Sequence, residues 1–516
     1  MRRSVLVVAA ASVAAAALIT TALAFAARPT PASVANTVVP EPVSQIHMGG
    51  SGFVFDDSSD IVARGEFAPV GRLLGDYLRP VLGLRLPLIS TGNGGNDVHF
   101  VRAANLAPEE YRIRVAQHDV TISASTPAGA FRAVQTLRQL VVPHGRAIAT
   151  TAIRDQPRFA YRGAMLDVAR HFFPVQDVER YLDDIALLKL NVLHLHLSDD
   201  QGWRIAIEGY PRLTAIGGAS QVGDVHTSTG GFYTQEQYRQ IVRYAAARYI
   251  TIVPEIDMPG HVNAALTSLP GINADGISPA RYTGMETGFS SLGVHRPETY
   301  AFVTAVLDQL AALTPGPYLH IGGDESQATS PTDYRAFVAR AAAIVAATGK
   351  TVIGWHQLGA SDQLPRGTIG QYWGFVQPDA VGIADARSIV AQGGRLIMSP
   401  ADVAYLDQKY DILTKLGLNW AGFTSLTDSY SWDPAAVIPG IGDPQVLGVE
   451  APLWTETLSD VSELEQMAFP RIAAIAEIGW SSPASHDLTG FLHRMRAFQS
   501  LLGRLGIDST AVRELR

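Results

Sequence analysis

Cysteine is absent from all 516 residues, which excludes a disulfide framework and an anchor built on a lipid-bearing cysteine. Stability must come from a hydrophobic core, and a chain of this length is ample for one. Charge is scarce too: 17% of residues are charged, the formal net charge is −8, and no basic run occurs. That balance argues against nucleic acid or an anionic membrane surface as a partner. A third absence is the glycine-rich phosphate loop that an open doubly wound sheet would carry after its first strand.

What is present begins with Arg2-Arg3 and a nearly unbroken apolar run from Val5 to Ala27, closing on Ala24-Phe25-Ala26. These are the regions of a secretory signal peptide, expected over 1–27, so the protein is expected to be secreted and extracellular. Left uncleaved, the run is long enough to serve as a membrane anchor. Residues 28–43, rich in Pro, Ala, Thr and Val without periodicity, read as a spacer. Residues 44–156 mix helical spacing (Leu73, Leu74, Tyr77, Leu78) with alternating strands at Tyr111–Val115 and Val120–Ala124, which predicts a small α+β domain.

From 157 to 516 the pattern becomes a regular alternation. Strand-like runs fall at Gly163–Val168, Asn191–Leu197, Ile250–Ile256, Tyr318–Gly322, Thr351–Trp355, Thr368–Tyr372, Arg395–Ser399 and Val446–Ala451, with helical periods between most of them. Eight such units predict an α/β fold of the (β/α)8 TIM barrel type, whose chemistry belongs at the carboxyl ends of the strands. The residues following the runs include Asp167, Arg170 and His171; Asp199, Asp200 and Trp203; Glu255, Asp257 and His261; Asp324 and Glu325; Trp355 and His356; Trp373; Tyr405 and Asp407; Trp454 and Glu456. Tryptophans beside carboxylates suit a pyranose, whose apolar face stacks while its hydroxyls take charged hydrogen-bond partners.

Among these, Asp324-Glu325 stands out, because two glycines and two adjacent carboxylates end a buried strand. A pair opening a helix as cap and first-turn acid would be the plainer account. Like charges side by side raise the pKa of one member, which suits a general acid. Adjacent Cα atoms lie about 3.8 Å apart, whereas a retaining glycosidase with a protein nucleophile separates its carboxyls by roughly 5–5.5 Å. If the pair performs glycosidase chemistry, the nucleophile lies elsewhere, on another residue or on the substrate. A competing pattern is His194-Leu-His196, two residues on one face of a strand, as in metal-dependent amidohydrolases. Such a site leaves the carboxylate and tryptophan set unexplained, and no metal or cofactor is expected.

The runs 162–172, 194–204, 254–261, 320–325 and 454–456 together resemble the β-N-acetylhexosaminidases, glycoside hydrolase family twenty, and the likeness extends over Glu109–Val115 and Gly129–Leu140 of the small domain. The resemblance implies Glu325 as general acid and base, Asp324 orienting the substrate's acetamido nitrogen, and Tyr405 bonding its carbonyl. It implies Arg162, Asp407 and Glu456 on the sugar hydroxyls and Trp355, Trp373 and Trp454 as walls of the acetamido pocket. Asp200 and His261 are implied near the acid, and Trp420 on the leaving-group side. The activity implied is exo-acting, retaining removal of terminal β-linked N-acetylglucosamine or N-acetylgalactosamine from oligosaccharides such as chitin fragments or glycans, through an oxazolinium-type intermediate. A non-catalytic carbohydrate-binding relative and a disaccharide-releasing enzyme are the alternatives.

Overall fold

The structure, a computed structural model, describes residues 36–224 and 230–516. The expected signal peptide lies outside the described residues, and so does the first part of the expected spacer. No helix among the described residues is long and apolar enough to cross a membrane.

The larger domain is a closed barrel of eight parallel strands: Tyr161–Asp167, Val192–His196, Thr251–Glu255, Tyr318–His320, Thr351–Trp355, Ile369–Tyr372, Arg395–Met398 and Val446–Ala451. Each coincides with a run legible in the sequence. Several are buried along their whole length, as parallel strands covered by helices must be. The covering helices show why they form: in Val175–Leu187, Val178, Tyr181, Leu182 and Ile185 recur at helical spacing and are fully buried.

The smaller domain is a seven-stranded mixed sheet in which Tyr111–Val115 lies between Asp119–Ala124 and Thr151–Asp155. Tyr111, Ile113 and Val115 are buried while Arg112 and Arg114 face water, the alternation of a sheet covered on one side. Helices Ala68–Leu82 and Pro127–Val141 supply the cover. Thr126 caps the second by accepting from the Gly129 N–H at 3.2 Å.

The two domains are joined beneath the barrel by buried charge. Arg162, at the amino end of the first barrel strand, donates to Glu109 in a fork, at 3.0 and 2.7 Å. Arg132 of the small domain shares the same carboxylate at 2.9 Å and donates to the carbonyls of Leu190 and Tyr249 in the barrel. Lys189 pairs with Asp155 at 2.9 Å, and Asp155 also accepts from Tyr111 and Trp480. The spacer reading needs correction from residue 36 onward. Val38 and Val39 are fully buried, Val39 exchanges hydrogen bonds with Gln139, and Glu41 is tied to Glu477, Ser481 and Arg494. Short apolar residues beside Pro look like linker in sequence, but here they fill the seam between domains.

Arg162 is therefore a structural residue, and its removal leaves Glu109 short of a partner. Burial would raise the Glu109 carboxyl, but Arg162 and Arg132 hold it down at about 2. The stability this carboxylate contributes is present above its usual value of 4.5 and is lost as pH falls toward 2. Arg162→Ala should cost about 3–5 kcal/mol, the scale of breaking a buried ion pair, and should flatten that acid dependence. Denaturant melts across pH, alongside KM for a substrate of the wild type, check this; a raised KM without loss of stability would return Arg162 to the binding site.

Candidate active site

Alternating carboxylates and imidazoles rise through the barrel axis to the acidic pair. Glu450 accepts from His194 Nδ1 at 2.9 Å, and His194 Nε2 lies 2.9 Å from Glu255. Glu255 accepts from His196 Nδ1 at 2.5 Å, and its other oxygen lies 2.8 Å from His320 Nδ1, which accepts the Gly322 N–H at 3.0 Å. His196 Nε2 reaches Asp199 at 2.9 Å, Asp199 holds His261 Nδ1 at 3.1 Å, and His261 Nε2 stands 3.4 Å from Glu325 and 3.6 Å from Asp324. Strand alternation builds this ladder, since His194 and His196 point the same way from one strand while Glu255 and His320 end the next two.

The acidic pair sits on a strained turn. Gly322 and Gly323 have φ of 65° and 104°, and a Cβ on Gly322 would stand 1.7 Å from Asp257 Oδ1. Glu325 itself has φ 41° and His261 φ 56°, so the two backbones that bring acid and imidazole together both occupy the left-handed region. Burial, with Glu325 alongside, pushes the Asp324 carboxyl up against the pull of His261. Burial acts on Glu325 in the same sense, but the hydrogen bond and charge of His261 hold it below the usual carboxylate range. Burial would lower His261, yet Asp199 and Asp324 hold it well above the usual imidazole range. The elevation expected for one member of the pair thus falls on Asp324, because His261 holds Glu325 down.

Around the pair stand Tyr405, Trp355 and Trp454, packed together with Met165, while Trp373 joins from the rim. Trp355 and Trp454 ring centroids are 5.8 Å apart, and Tyr405 lies 6.2 Å from Trp454. Trp420, half exposed, meets Trp373 and Tyr405 edge-on at 6.0 and 5.9 Å. Burial, then Asp324 and Asp407, pushes the Tyr405 hydroxyl up, so it remains a donor. Three buried polar atoms of this set, Asp324 Oδ1, Trp355 Nε1 and Asp407 Oδ1, have no hydrogen-bond partner among the described residues. Burying such atoms is costly unless something polar meets them.

Of the residues expected here, Arg162 is at the opposite end of the barrel. Arg170 takes its place: Nη2 is 2.8 Å from Asp199, Nη1 is 3.2 Å from Asp167 and 3.8 Å from Glu456, and the guanidinium stacks 4.7 Å over Trp454. The signal was available, because Arg162 stands at the amino end of the first strand whereas Arg170 follows its carboxyl end. Asp200 needs a similar correction. It accepts from the Asn263 N–H and the Ser290 hydroxyl, and its neighbour Asp199 carries the link to His261. Trp203 is core, 1% exposed and donating to the Ile205 carbonyl.

Among the described residues, four groups could offer metal-ligand atoms within 4.8 Å of one another, including His194, Glu255 and His320, and Asp257, His261 and Asp324. In these groups the imidazoles already engage carboxylates: His194 holds Glu450, His196 bridges Glu255 and Asp199, and His261 holds Asp199. The donor set fits a proton-bearing ladder better than an open metal site. Chemically, the pocket offers an acid at the mouth, a fixed carboxyl and phenol behind it, and apolar walls for a ring.

Comparison with known proteins places the chain among described families. The catalytic-domain model of glycosyl hydrolase family 20 matches residues 159–334 and 328–483, and the family's domain 2 matches 35–156. A β-N-acetylhexosaminidase of Cellulomonas fimi is 42% identical over 477 residues, covering 91% of this chain and 95% of that protein. The structure of Streptomyces plicatus N-acetyl-β-hexosaminidase in complex with Thio-NAglucal superposes with a TM-score of 0.90 at 46% identity, covering 95% and 98% of the two chains. The β-N-acetylhexosaminidase of Streptomyces coelicolor gives 0.89 at 46%, covering 93% and 98%.

One consequence concerns Asp407, whose carboxyl burial and Glu456 push up to about 8. It is protonated in the fold and ionised in the unfolded chain between its usual 3.8 and 8, so its contribution to stability is full below that window and is lost as pH rises through it. Asp407→Asn cannot titrate. Its melting temperature relative to wild type should climb from pH 4 to 8, and a gap that stays constant would contradict the buried neutral carboxyl.

Proposed function

This chain belongs to glycosyl hydrolase family 20 and is a glycoside hydrolase, and from that premise we propose that it removes terminal β-linked N-acetylhexosamine by substrate-assisted catalysis with retention. The observation that carries the reading is a division of labour within one dipeptide. Asp324 and Glu325 are neighbours whose pKa values are driven apart, one deep in the aromatic pocket and one at its mouth on His261. Such separation is how two carboxyls take two roles.

Sugar binding over Glu325 would strip water from its exposed side, and desolvation raises a carboxyl. The group that is anionic in the free site then becomes the proton donor to the departing oxygen. His261, braced by Asp199, receives or returns the hydrogen bond as Glu325 alternates between acid and base. Two carboxyls near the pair are turned away from a nucleophile's role. Asp200 and Asp257 are 1% exposed and turned to backbone N–H groups of Asn263 and Gly323. The substrate's own acetamido carbonyl fills the role, folded under the ring by the tryptophan walls, with Tyr405 donating to its oxygen and Asp324 facing its nitrogen. Intramolecular attack of this kind gains a large effective concentration. Positive charge grows on that nitrogen as the oxazolinium-type intermediate forms, and a carboxylate fixed there stabilises the transition state. Water activated by Glu325 opens the intermediate from the original face. Arg170, Asp407 and Glu456 are the groups left for the sugar hydroxyls.

Export also belongs to the proposal, supported by Arg2-Arg3 and the apolar run to Ala27.

Hydrolysis of an aryl N-acetyl-β-glucosaminide tests the reading directly, and the matching β-glucoside, which lacks the acetamido group, should be essentially inert. Glu325→Gln should lose about 10² to 10⁴ in rate, most for poor leaving groups and least for activated aryl ones. Comparable cleavage of glucosides, or a first product of α configuration, would mean a protein nucleophile. EDTA should leave the rate unchanged.

A further inference from the structure

Asp257 is a buried carboxyl that the mechanism above leaves idle, although it touches the centre of the site. It follows the third barrel strand, is 1% exposed, and receives the Gly323 N–H on Oδ1 at 3.0 Å. Its carboxyl meets that of Asp324, and ligand atoms of Asp257, His261 and Asp324 lie within 4.8 Å of one another. Each of the two carboxyls also keeps one buried oxygen with no other donor among the described residues, Oδ2 on Asp257 and Oδ1 on Asp324.

Two carboxylates cannot both remain ionised side by side in a dry pocket, because each would be an uncompensated buried charge. A single proton between them resolves both unpartnered oxygens. We propose that Asp257 is the positioning residue that keeps this proton and donates it to Asp324, so that Asp324 stays anionic and fixed as positive charge develops on the acetamido nitrogen. The proposal rests on the functional reading above. One proton serves the pair, and it stays on Asp257 throughout the cycle, so no bond of Asp257 is made or broken.

The surroundings favour this assignment of the proton. Asp257 faces Asp324, Glu255, His261 and His196, and the Tyr334 hydroxyl lies nearby, donating to the Gly323 carbonyl at 2.6 Å. His261 Nε2 lies 3.6 Å from Asp324, which favours the anion there. Burial and then Asp324 raise Asp257 well above the carboxylate range. Gly322 makes the arrangement possible, since any Cβ at that position would collide with Asp257 Oδ1 at 1.7 Å.

The test is the pH dependence of kcat and KM on an aryl N-acetyl-β-glucosaminide for wild type, Asp257→Ala and Asp257→Asn, with melts to establish folding. Alanine removes the donor. It should lower kcat by about tenfold, the scale of a lost hydrogen bond to a charged group, with KM little changed. Asparagine can accept from Gly323 and donate its amide N–H to Asp324 at every pH. It should recover most of the loss in kcat, with KM again little changed, because the hydrogen bond to Asp324 is restored without a carboxyl at 257. An asparagine variant as slow as alanine, or an alanine variant whose loss falls on KM and not on kcat, overturns the proposal and leaves Asp257 a packing residue. Should asparagine not fold, Asp257→Ser, smaller and still a hydroxyl donor, is read by the same two criteria. A wild type inactive on this substrate would instead overturn the functional reading.

Discussion

The structure depends on one constraint: a barrel whose interior is charged must compensate every buried charge locally. From Glu450 to Glu325 each carboxylate faces an imidazole and each imidazole of the chain faces two carboxylates. Buried alone, any of these groups would be driven to its neutral form. Together they settle into fixed states: Glu255 and Asp199 well below the usual range despite burial, His194 up at about 9, and His320 left below its usual value. The acid at the mouth is therefore the last member of a column whose geometry is fixed by strand register, and its pKa cannot be understood from Asp324-Glu325 alone.

The opposite end of the barrel uses charge for a different purpose. Arg162, Arg132, Lys189, Glu109 and Asp155 form hydrogen bonds that fix the small domain beneath the strands. Separation of the two ends follows from strand polarity, with chemistry at the carboxyl ends and stability at the amino ends. Nine residues, from Arg162 to Arg170, contain both, since Arg162 looks down into the domain seam while Arg170 looks up at Trp454 and Glu456.

This also explains what could be read in the sequence. The eight strands were legible because buried parallel strands are short apolar runs with no competing period. The acidic pair, Tyr405 and the tryptophans at positions 355, 373 and 454 stood at strand ends, where the fold delivers them together. Arg162 was misjudged because two arginines eight positions apart bracket the same strand, and a resemblance in motif does not say which end faces the pocket. Asp199 and Asp200 raised the same difficulty at a spacing of one: only three-dimensional structure shows that the first turns to His261 and Arg170 while the second turns to Ser290. The segment from 36 to 43 was unreadable for another reason. Its burial is created by Gln139 and Glu477, hundreds of residues apart in sequence from one another.

Strain and electrostatics meet at one point. Bringing Glu325 within 3.4 Å of His261 requires both residues at positive φ, and bringing Asp324 against Asp257 requires glycine at 322 and 323. Backbone strain of this order costs about 1–3 kcal/mol per residue, and persists only where the surroundings over-determine it. The surroundings here are the ladder and the carboxyl pair, whose charge-assisted contacts would be lost if the turn relaxed. A relaxed turn would also let the two acidic neighbours ionise alike, since neither would then be held in its own environment. Rigidity of the turn is thus what keeps Asp324 and Glu325 chemically distinct, and that distinction is what the separate roles proposed for them require.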